Sequence, residues 1–175
     1  MEPLRIYEYL VMTRERVFAA VRALKPQQYE REFGIGLGSI GVTLTHLMIS
    51  EWYYIERLRG RSVPPYEQWP IKQEHPPTFE IIQRTWQAQV EHVRDVIAAE
   101  QDWRRPITWL SFPDESRGHR RFDIHCSSGD LFTQLALHEM HHRAQVLAML
   151  REFGVSLGDI DFNELMFERV ETDAD

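Results

Sequence analysis

Four long segments of the sequence carry apolar residues at the spacing of an α-helix. They cover residues 4–24, 39–60, 78–99 and 127–154. Apolar side chains three and four positions apart fall on one face of a helix, and that face must be buried against another element. The chain has 175 residues, 43% of them hydrophobic, which is enough for one core. The sequence therefore predicts an all-α fold, a four-helix bundle with long connections in a single domain over residues 1–175.

Short signals mark the ends of these helices. Proline is favoured in the first turn of a helix and cannot continue a helix that precedes it. Serine and threonine cap helix starts, and glycine commonly follows helix ends. In chain order the signals are Pro3, Pro26, Ser39, Gly60, Thr78, Ser127 or Ser128, and Gly154.

The connections between the helices carry weaker signals. Residues 62–77 are rich in proline and predict a loop. Residues 107–112 and 121–126 flank a polar turn and have the composition of strands, which predicts a short β-hairpin before the fourth helix. One further short helix is expected at residues 162–169.

Two histidines interrupt the apolar face of the fourth helix. His138 and His142 are four residues apart, which is just over one turn and about 6 Å of rise, so both imidazoles can close on one metal ion. His46 lies in a similar stripe on the second helix, and helices that face each other can build a metal site from inward side chains. The two stripes are Val42, His46, Ile49 and Tyr53, and Leu131, Leu135, His138, His142, Val146, Met149 and Phe153.

Two other interpretations fit the same histidines. A histidine on an apolar face is often a core residue whose ring is satisfied by hydrogen bonds, although three of them favour a metal. Residues 138–142, His-Glu-Met-His-His, also satisfy the H-E-x-x-H pattern of zinc metallopeptidases, in which the glutamate, here Glu139, activates water. A peptidase needs a further ligand, for which Glu164 or Glu168 is available, and a sheet edge to hold the peptide.

The order and separation of these motifs resemble those of the DinB family, also called the DinB/YfiT-like superfamily. The pattern of that family is a histidine in the second helix and an H-x-x-x-H-R pair in the fourth. The matching pieces here are Leu44-Thr45-His46-Leu47, Glu51-Trp52, Leu58-Arg59-Gly60, Leu137-His138-Glu139-Met140-His141-His142-Arg143-Ala144-Gln145-Val146 and Leu150-Arg151-Glu152-Phe153-Gly154, followed by Asp161.

The resemblance implies a four-helix bundle in which His46, His138 and His142 bind a divalent metal such as zinc or nickel, often in a homodimer. Some members are thiol-dependent transferases or isomerases that use low-molecular-weight thiols. Three neutral histidines leave the ion an open position, and such an ion can activate a thiol or water. We therefore expect a metal-dependent transferase, isomerase or hydrolase acting on a small-molecule substrate. A metal-stabilised binding protein without turnover is the alternative.

Several residues near the histidines have two interpretations. Glu139 lies about 100° round the helix from His138, which favours a solvent-facing or ion-pairing role over that of a base. His141 could replace His142 as a ligand, and Glu51 could orient a liganding histidine. Structural pairing and substrate contact are both open for Arg143 and Gln145. Trp52 and Tyr53 are expected to be core or pocket wall rather than catalytic groups.

Composition and charge narrow the classes of partner. The net charge is −7 and the basic residues are scattered, which disfavours nucleic-acid binding. The single cysteine, Cys126, excludes an internal disulfide and is expected to be a packed residue rather than a fourth ligand. No apolar run is long enough to span a membrane and no signal pattern opens the chain, so we expect a cytoplasmic protein. The densest basic cluster is expected to be a solvated surface that could contact an anionic substrate; it is Arg117, His119, Arg120 and Arg121.

Overall fold

The computed structural model describes residues 2–113 and 118–170. Within these residues the chain is mostly helical, with six α-helices and one two-stranded antiparallel sheet. None of the described helices is long and apolar enough to cross a lipid bilayer. In chain order the elements are α1 (Pro3–Arg22), α2 (Pro26–Glu30), α3 (Ile40–Leu58), a 3₁₀ turn (Tyr66–Gln68), α4 (Phe79–Ala99), β1 (Pro106–Leu110), β2 (Asp123–Ser127), α5 (Ser128–Arg151) and α6 (Phe162–Met166).

Hydrogen-bonded caps fix the starts of the two helices that carry the histidines. At the start of α3, the Ser39 hydroxyl accepts a hydrogen bond from the Val42 amide at 3.1 Å. At the start of α5, Ser127 Oγ accepts from the Asp130 amide at 3.0 Å, and the Asp130 carboxylate accepts from the Ser127 amide at 2.9 Å. These bonds satisfy amides that the first helical turn leaves unpaired, so both helices begin where the sequence predicts.

The predicted hairpin before α5 is confirmed, with shifted ends. β1 and β2 pair antiparallel from Pro106 opposite Ser127 to Leu110 opposite Asp123. Arg117 and the middle of the predicted turn lie outside the described residues. The hairpin leads directly into α5 and so anchors the start of that helix.

Two short elements were not predicted. Pro26 was expected to stop the first helix, but α1 ends at Arg22 and Pro26 opens α2. Proline is tolerated in a first helical turn because its missing N–H would have no partner there. The segment expected to be loop contains the 3₁₀ turn Tyr66–Gln68.

The long helices bury their apolar faces against one another. Helix α3 packs against α4 and α5, and α1 packs against the same two helices. Their buried side chains form two hydrophobic clusters, one around Phe18 and Val146 and the other around Tyr7 and Leu135. The predicted buried face of α4 is confirmed at all six positions, Phe79, Ile82, Trp86, Val90, Val93 and Ile97.

The predicted buried faces of α3 and α5 are wrong in their central parts. In the middle of α5, Glu139 and Arg143 are buried, whereas His138 and His142 are only half-buried. On α3, Glu51 is buried while His46 is half-buried. Charged residues on a helix normally face the solvent. The burial of these charged side chains therefore requires charged partners inside the protein.

Arg14 of α1 supplies those partners. Its Nη2 donates to Glu51 at 2.5 Å and to Glu139 at 2.7 Å. The Glu51 carboxylate also accepts from Trp86 Nε1 at 2.9 Å and from the Gln89 amide at 2.7 Å. Because these side chains come from α1, α3, α4 and α5, one buried network of Arg14, Glu51, Glu139, Trp86 and Gln89 joins the four long helices.

Candidate metal centre

His46, His138 and His142 lie together where α3 packs against α5. The ring centroids are 4.8 Å apart for His46 and His138, 4.8 Å for His46 and His142, and 4.6 Å for His138 and His142. One nitrogen of each ring lies within 4.8 Å of the other two. The structure therefore brings together the three histidines that the sequence selected.

The three rings fit a divalent transition metal. Imidazole nitrogen is a common ligand of zinc and nickel, and a ligand nitrogen lies about 2.0–2.1 Å from zinc. Two such nitrogens are at most about 4.2 Å apart. Nε2 of His46 and Nε2 of His138 are 2.9 Å apart, and the full set lies within 4.8 Å. A shift of less than about 1 Å closes the set on one ion.

Two glutamines orient two of the rings. Nδ1 of His46 lies 2.6 Å from Gln73 Oε1, and Nδ1 of His142 lies 2.8 Å from Gln145 Oε1. An amide oxygen only accepts, so both imidazoles donate from Nδ1 and their Nε2 atoms are unprotonated. This is the tautomer that binds a metal through Nε2, and such outer partners commonly fix it.

A second hydrogen bond sets the direction of the Gln145 amide. Gln145 Nε2 donates to Nε2 of His141 at 3.0 Å, which leaves its oxygen for His142. His141 is exposed, and its own ring lies 5.0 Å from that of His142. His141 thus contacts the site through Gln145 and does not belong to the group of three.

The glycine-rich segment before α3 packs on the same glutamine. Gly36 has φ +58°, and a Cβ built there would lie 2.5 Å from Gln145 Oε1. Only glycine permits both this backbone conformation and this close approach. The loop therefore holds Gln145 against His142.

The environment keeps the three rings neutral near pH 7. Burial, together with the neighbouring His46, His142 and His141, lowers the pKa of His138 to about 3. Burial also lowers the pKa of His46 and of His142, while the hydrogen bonds that these rings donate to Gln73 and Gln145 oppose the shift. Neutral imidazole is the metal-binding form, so none of the three rings has to lose a positive charge at neutral pH.

Tyr54 packs against the histidine group, whereas Trp52 lines a cavity whose described lining includes none of the three histidines. The ring of Tyr54 lies 5.9 Å from that of His138, and its hydroxyl accepts from Gln134 at 3.3 Å. Trp52 packs against Trp69 with centroids 5.0 Å apart, and both line a largely apolar cavity of about 220 Å³. Of the two roles open for Trp52, the structure gives it that of a pocket wall.

The H-E-x-x-H interpretation is wrong for Glu139. Its carboxylate is buried, binds Arg14 at 2.7 Å, and is not part of the histidine group. A metallopeptidase glutamate must reach the water at the metal, and Glu139 faces away from it. Glu164, offered as a further ligand, instead pairs with Arg169, and within the described residues the single sheet has two strands. Ion pairing, one of the two roles expected for Glu139, is confirmed, but the solvent-facing position is not.

Three other expectations about nearby residues are resolved. Glu51 binds Arg14, Trp86 and Gln89 and does not orient a histidine. Arg143 has a structural role, because it donates to Thr13 and to the Tyr9 hydroxyl. Cys126 packs in the second hydrophobic cluster, and burial raises the pKa of its thiol.

Gln73 is the site residue that sequence reasoning missed. It lies in the proline-rich connection between α3 and α4, where no periodicity indicates which side chains face the protein. The backbone amide of Gln73 donates a hydrogen bond to the hydroxyl of Tyr66 at 3.0 Å, and this bond helps to hold the loop over His46. Only the tertiary fold reveals this contact.

The fold and the site together define a mostly helical protein with a group of three histidines that could hold a metal ion. Residues 1–173 match the model of the DinB family, so the chain belongs to that family. No curated protein matches the chain.

Proposed function

We propose that the protein is a metal-dependent enzyme in which His46, His138 and His142 hold one divalent ion, zinc or nickel. The observation that carries the proposal is the convergence of the three rings, with two Nε2 atoms 2.9 Å apart and two Nδ1 atoms held by glutamine oxygens. We further infer that α1, α3, α4 and α5 form the four-helix bundle expected for the family, and that the protein works as a homodimer.

The histidine group would supply three ligands and leave at least one coordination position open to a substrate. Catalytic zinc sites usually have three protein ligands, whereas structural sites have four. Among the described residues, no aspartate, glutamate or cysteine joins the three histidines as a fourth ligand. A divalent ion held there would supply a Lewis acid that lowers the pKa of water or a thiol. The half-buried rings leave a route for a small molecule.

The protein's own side chains prepare this chemistry in two ways. Gln73 and Gln145 hold the Nδ1 protons of His46 and His142, so both Nε2 atoms face the centre of the group unprotonated. Burial lowers the pKa of all three histidines, which keeps proton competition low. Preorganised, neutral ligands favour binding without rearrangement.

The proposed reaction is the activation of a thiol or water toward a small electrophile. This corresponds to a thiol-dependent transferase or isomerase, or to a hydrolase. A low-molecular-weight thiol is the proposed co-substrate. No residue of the chain is assigned as a base, because Glu139 is held by Arg14.

The test is turnover with and without metal. Metal-loaded wild type, chelator-treated wild type and a His46→Ala variant are assayed with a panel of small thiols, electrophiles and hydrolysable esters. We expect turnover that requires both the metal and His46, and that a variant of an exposed histidine outside the group, His75→Ala, retains. Bound metal without turnover across the panel would instead support a metal-stabilised binding protein.

A further inference from the structure

Arg57, near the end of α3, is a buried cation that has no anionic partner in the described part of the chain. The residue is only 9% exposed. Its guanidinium carbon lies 5.1 Å from the ring centre of Tyr53 and 5.4 Å from that of Trp109. Its Nε has no hydrogen-bond partner, and no carboxylate of residues 2–113 or 118–170 pairs with it. A buried guanidinium is normally paired, because desolvation of an isolated charge is costly.

The other arginines nearby follow that rule. Arg59 and Arg61 pair with Glu56 at 2.8 Å and 3.6 Å. The equally buried Arg14 lies between two glutamates. Arg57 is therefore the exception among these arginines.

A second unpartnered donor belongs to a side chain that Arg57 contacts. In the described part of the chain, three buried side-chain atoms lack a hydrogen-bond partner: Arg14 Nη1, Arg57 Nε and Trp109 Nε1. Two of the three come from the stacked pair of Arg57 and Trp109. Both are donors, so the missing partner is an acceptor, and the charge of Arg57 favours an anion.

Arg57 lines a cavity large enough for a small organic molecule. Its volume is about 870 Å³, within the range of about 300–1,000 Å³ common for ligand pockets. The described walls include the apolar or aromatic side chains of Val63, Tyr66 and Phe112. Arg121 adds a second cation, whose Nε is held by the Ser111 carbonyl at 2.9 Å, and Glu67 is the one carboxylate among the described lining residues.

This composition selects a monoanion with an apolar body. A guanidinium presents a planar pair of donors that matches a carboxylate. A phosphate dianion would prefer several free cations and would be repelled by Glu67. The apolar walls would contact the remainder of an organic acid but have nothing to offer an inorganic ion.

We propose that Arg57, with Trp109 stacked on its guanidinium, binds the carboxylate of a small organic acid whose apolar body lies against Val63, Tyr66 and Phe112. Arg57 lies eleven residues after His46, on the same face of α3 and about 16 Å further along the helix. The pocket is thus a binding subsite separate from the histidines. The proposal concerns binding and does not depend on the proposed reaction.

Titration of ¹⁵N-labelled protein with benzoate, and with its neutral counterpart benzamide, tests the subsite. The indole N–H signal of Trp109, assigned from a Trp109→Phe variant, is expected to move with benzoate and not with benzamide. Arg57→Met, which removes the charge at similar length, should weaken benzoate binding by about tenfold or more. The matched control Arg59→Met should bind as wild type does, because Arg59 already pairs with Glu56.

Two readouts separate lost binding from lost folding. Without ligand, Arg57→Met should melt no lower than wild type, because it removes an unpaired buried cation. With benzoate, only the wild type and Arg59→Met should gain thermal stability. The proposal is overturned if benzoate leaves the Trp109 signal unmoved, if Arg57→Met binds benzoate as wild type does, or if inorganic phosphate binds more tightly than benzoate.

Discussion

At the scale of single residues, Gln73 and Gln145 decide which nitrogen of two histidines faces the centre of the group. Each offers only an oxygen to Nδ1, so each removes one of the two tautomers. Without that contact an imidazole can place its proton on Nε2, and the proton must leave before a metal binds. The two glutamines are therefore expected to control affinity although neither touches the ion.

Replacing Gln145 with leucine should weaken metal binding by about 10- to 100-fold, the range found for outer partners of liganding histidines. The change keeps the size of the side chain and removes the acceptor for Nδ1 of His142. Competition with a chromophoric chelator measures the affinity. Gln87→Leu is the control, because that amide only binds Glu15 at the surface. Equal affinities in the two variants would show that Gln145 has no such role.

The sequence identified the ligand residues but not their partners. His46, His138 and His142 could be selected because histidines at helical spacing on apolar stripes are unusual. Gln73 could not, since its position depends on how residues 62–77 fold back over α3. Spacing alone left Glu51 as a residue that could orient a histidine, whereas the cation that binds it, Arg14, lies 37 positions away in sequence.

At the scale of elements, two sets of contacts fix the position of α3 relative to α5 at the histidines. The glycine-rich segment before α3 packs on Gln145 of α5 through Gly36. The buried network joins Glu51 of α3 to Glu139 of α5 through Arg14. Burial raises the pKa of Glu51, and the positive charge of Arg14 opposes that shift. Burial alone would lower the pKa of Arg14, but the negative charges of Glu139 and Glu51 outweigh this effect and raise it.

Substituting alanine for Gly36 should lower metal affinity as well as stability. The new Cβ would lie 2.5 Å from Gln145 Oε1 and push the amide away from His142. Gly38→Ala is the matched control, because its φ is also positive, at +93°, but a Cβ there meets no atom within 4 Å. Both variants should lose about 1–2 kcal/mol from backbone strain. Metal titration of the folded variants should separate them, and equal affinities would contradict the contact.

Replacing Arg14 with methionine should cost about 3–5 kcal/mol of unfolding free energy, because two buried carboxylates lose their cation. Arg94→Met is the control for an exposed ion pair. Arg94 binds Glu8 at 2.7 Å but is 32% exposed, so its loss should cost at most about 1 kcal/mol. Urea unfolding measures both. Similar losses in the two variants would mean that the buried network has no special structural role.

The network also explains which helix faces could be predicted. The face of α4 was correct at every position because its buried residues are apolar. The faces of α3 and α5 were rotated by one position at their centres because Glu51, Glu139 and Arg143 are buried with partners. Apolar periodicity records only the hydrophobic part of a core, and buried ion pairs do not follow it.

At the scale of the whole molecule, the histidine group should make stability depend on pH. Burial places the pKa of His138 near 3, below its unfolded value of about 6.5, and lowers those of His46 and His142. Between the two values the unfolded chain binds protons that the folded protein does not. The unfolding free energy should therefore fall as pH decreases below about 6.5.

This dependence can be measured on metal-free protein by urea unfolding between about pH 5 and 7. Each histidine contributes at most about 1.4 kcal/mol per pH unit, and less here because the rings are partly exposed. His138→Phe should flatten the slope, whereas a variant of the exposed His75, His75→Ala, should not. A wild-type unfolding free energy that is constant over this range would contradict the lowered pKa values of the three histidines.

Metal content is the most direct test of the central claim, that His46, His138 and His142 hold one divalent ion. Elemental analysis is done on untagged wild type, His142→Ala and His141→Ala, each purified and then incubated with zinc, nickel or manganese before desalting. We expect about one ion per chain in the wild type and in His141→Ala, and none in His142→Ala. No ion in the wild type, or an ion lost from His141→Ala and kept by His142→Ala, would show that these three histidines are not the ligands.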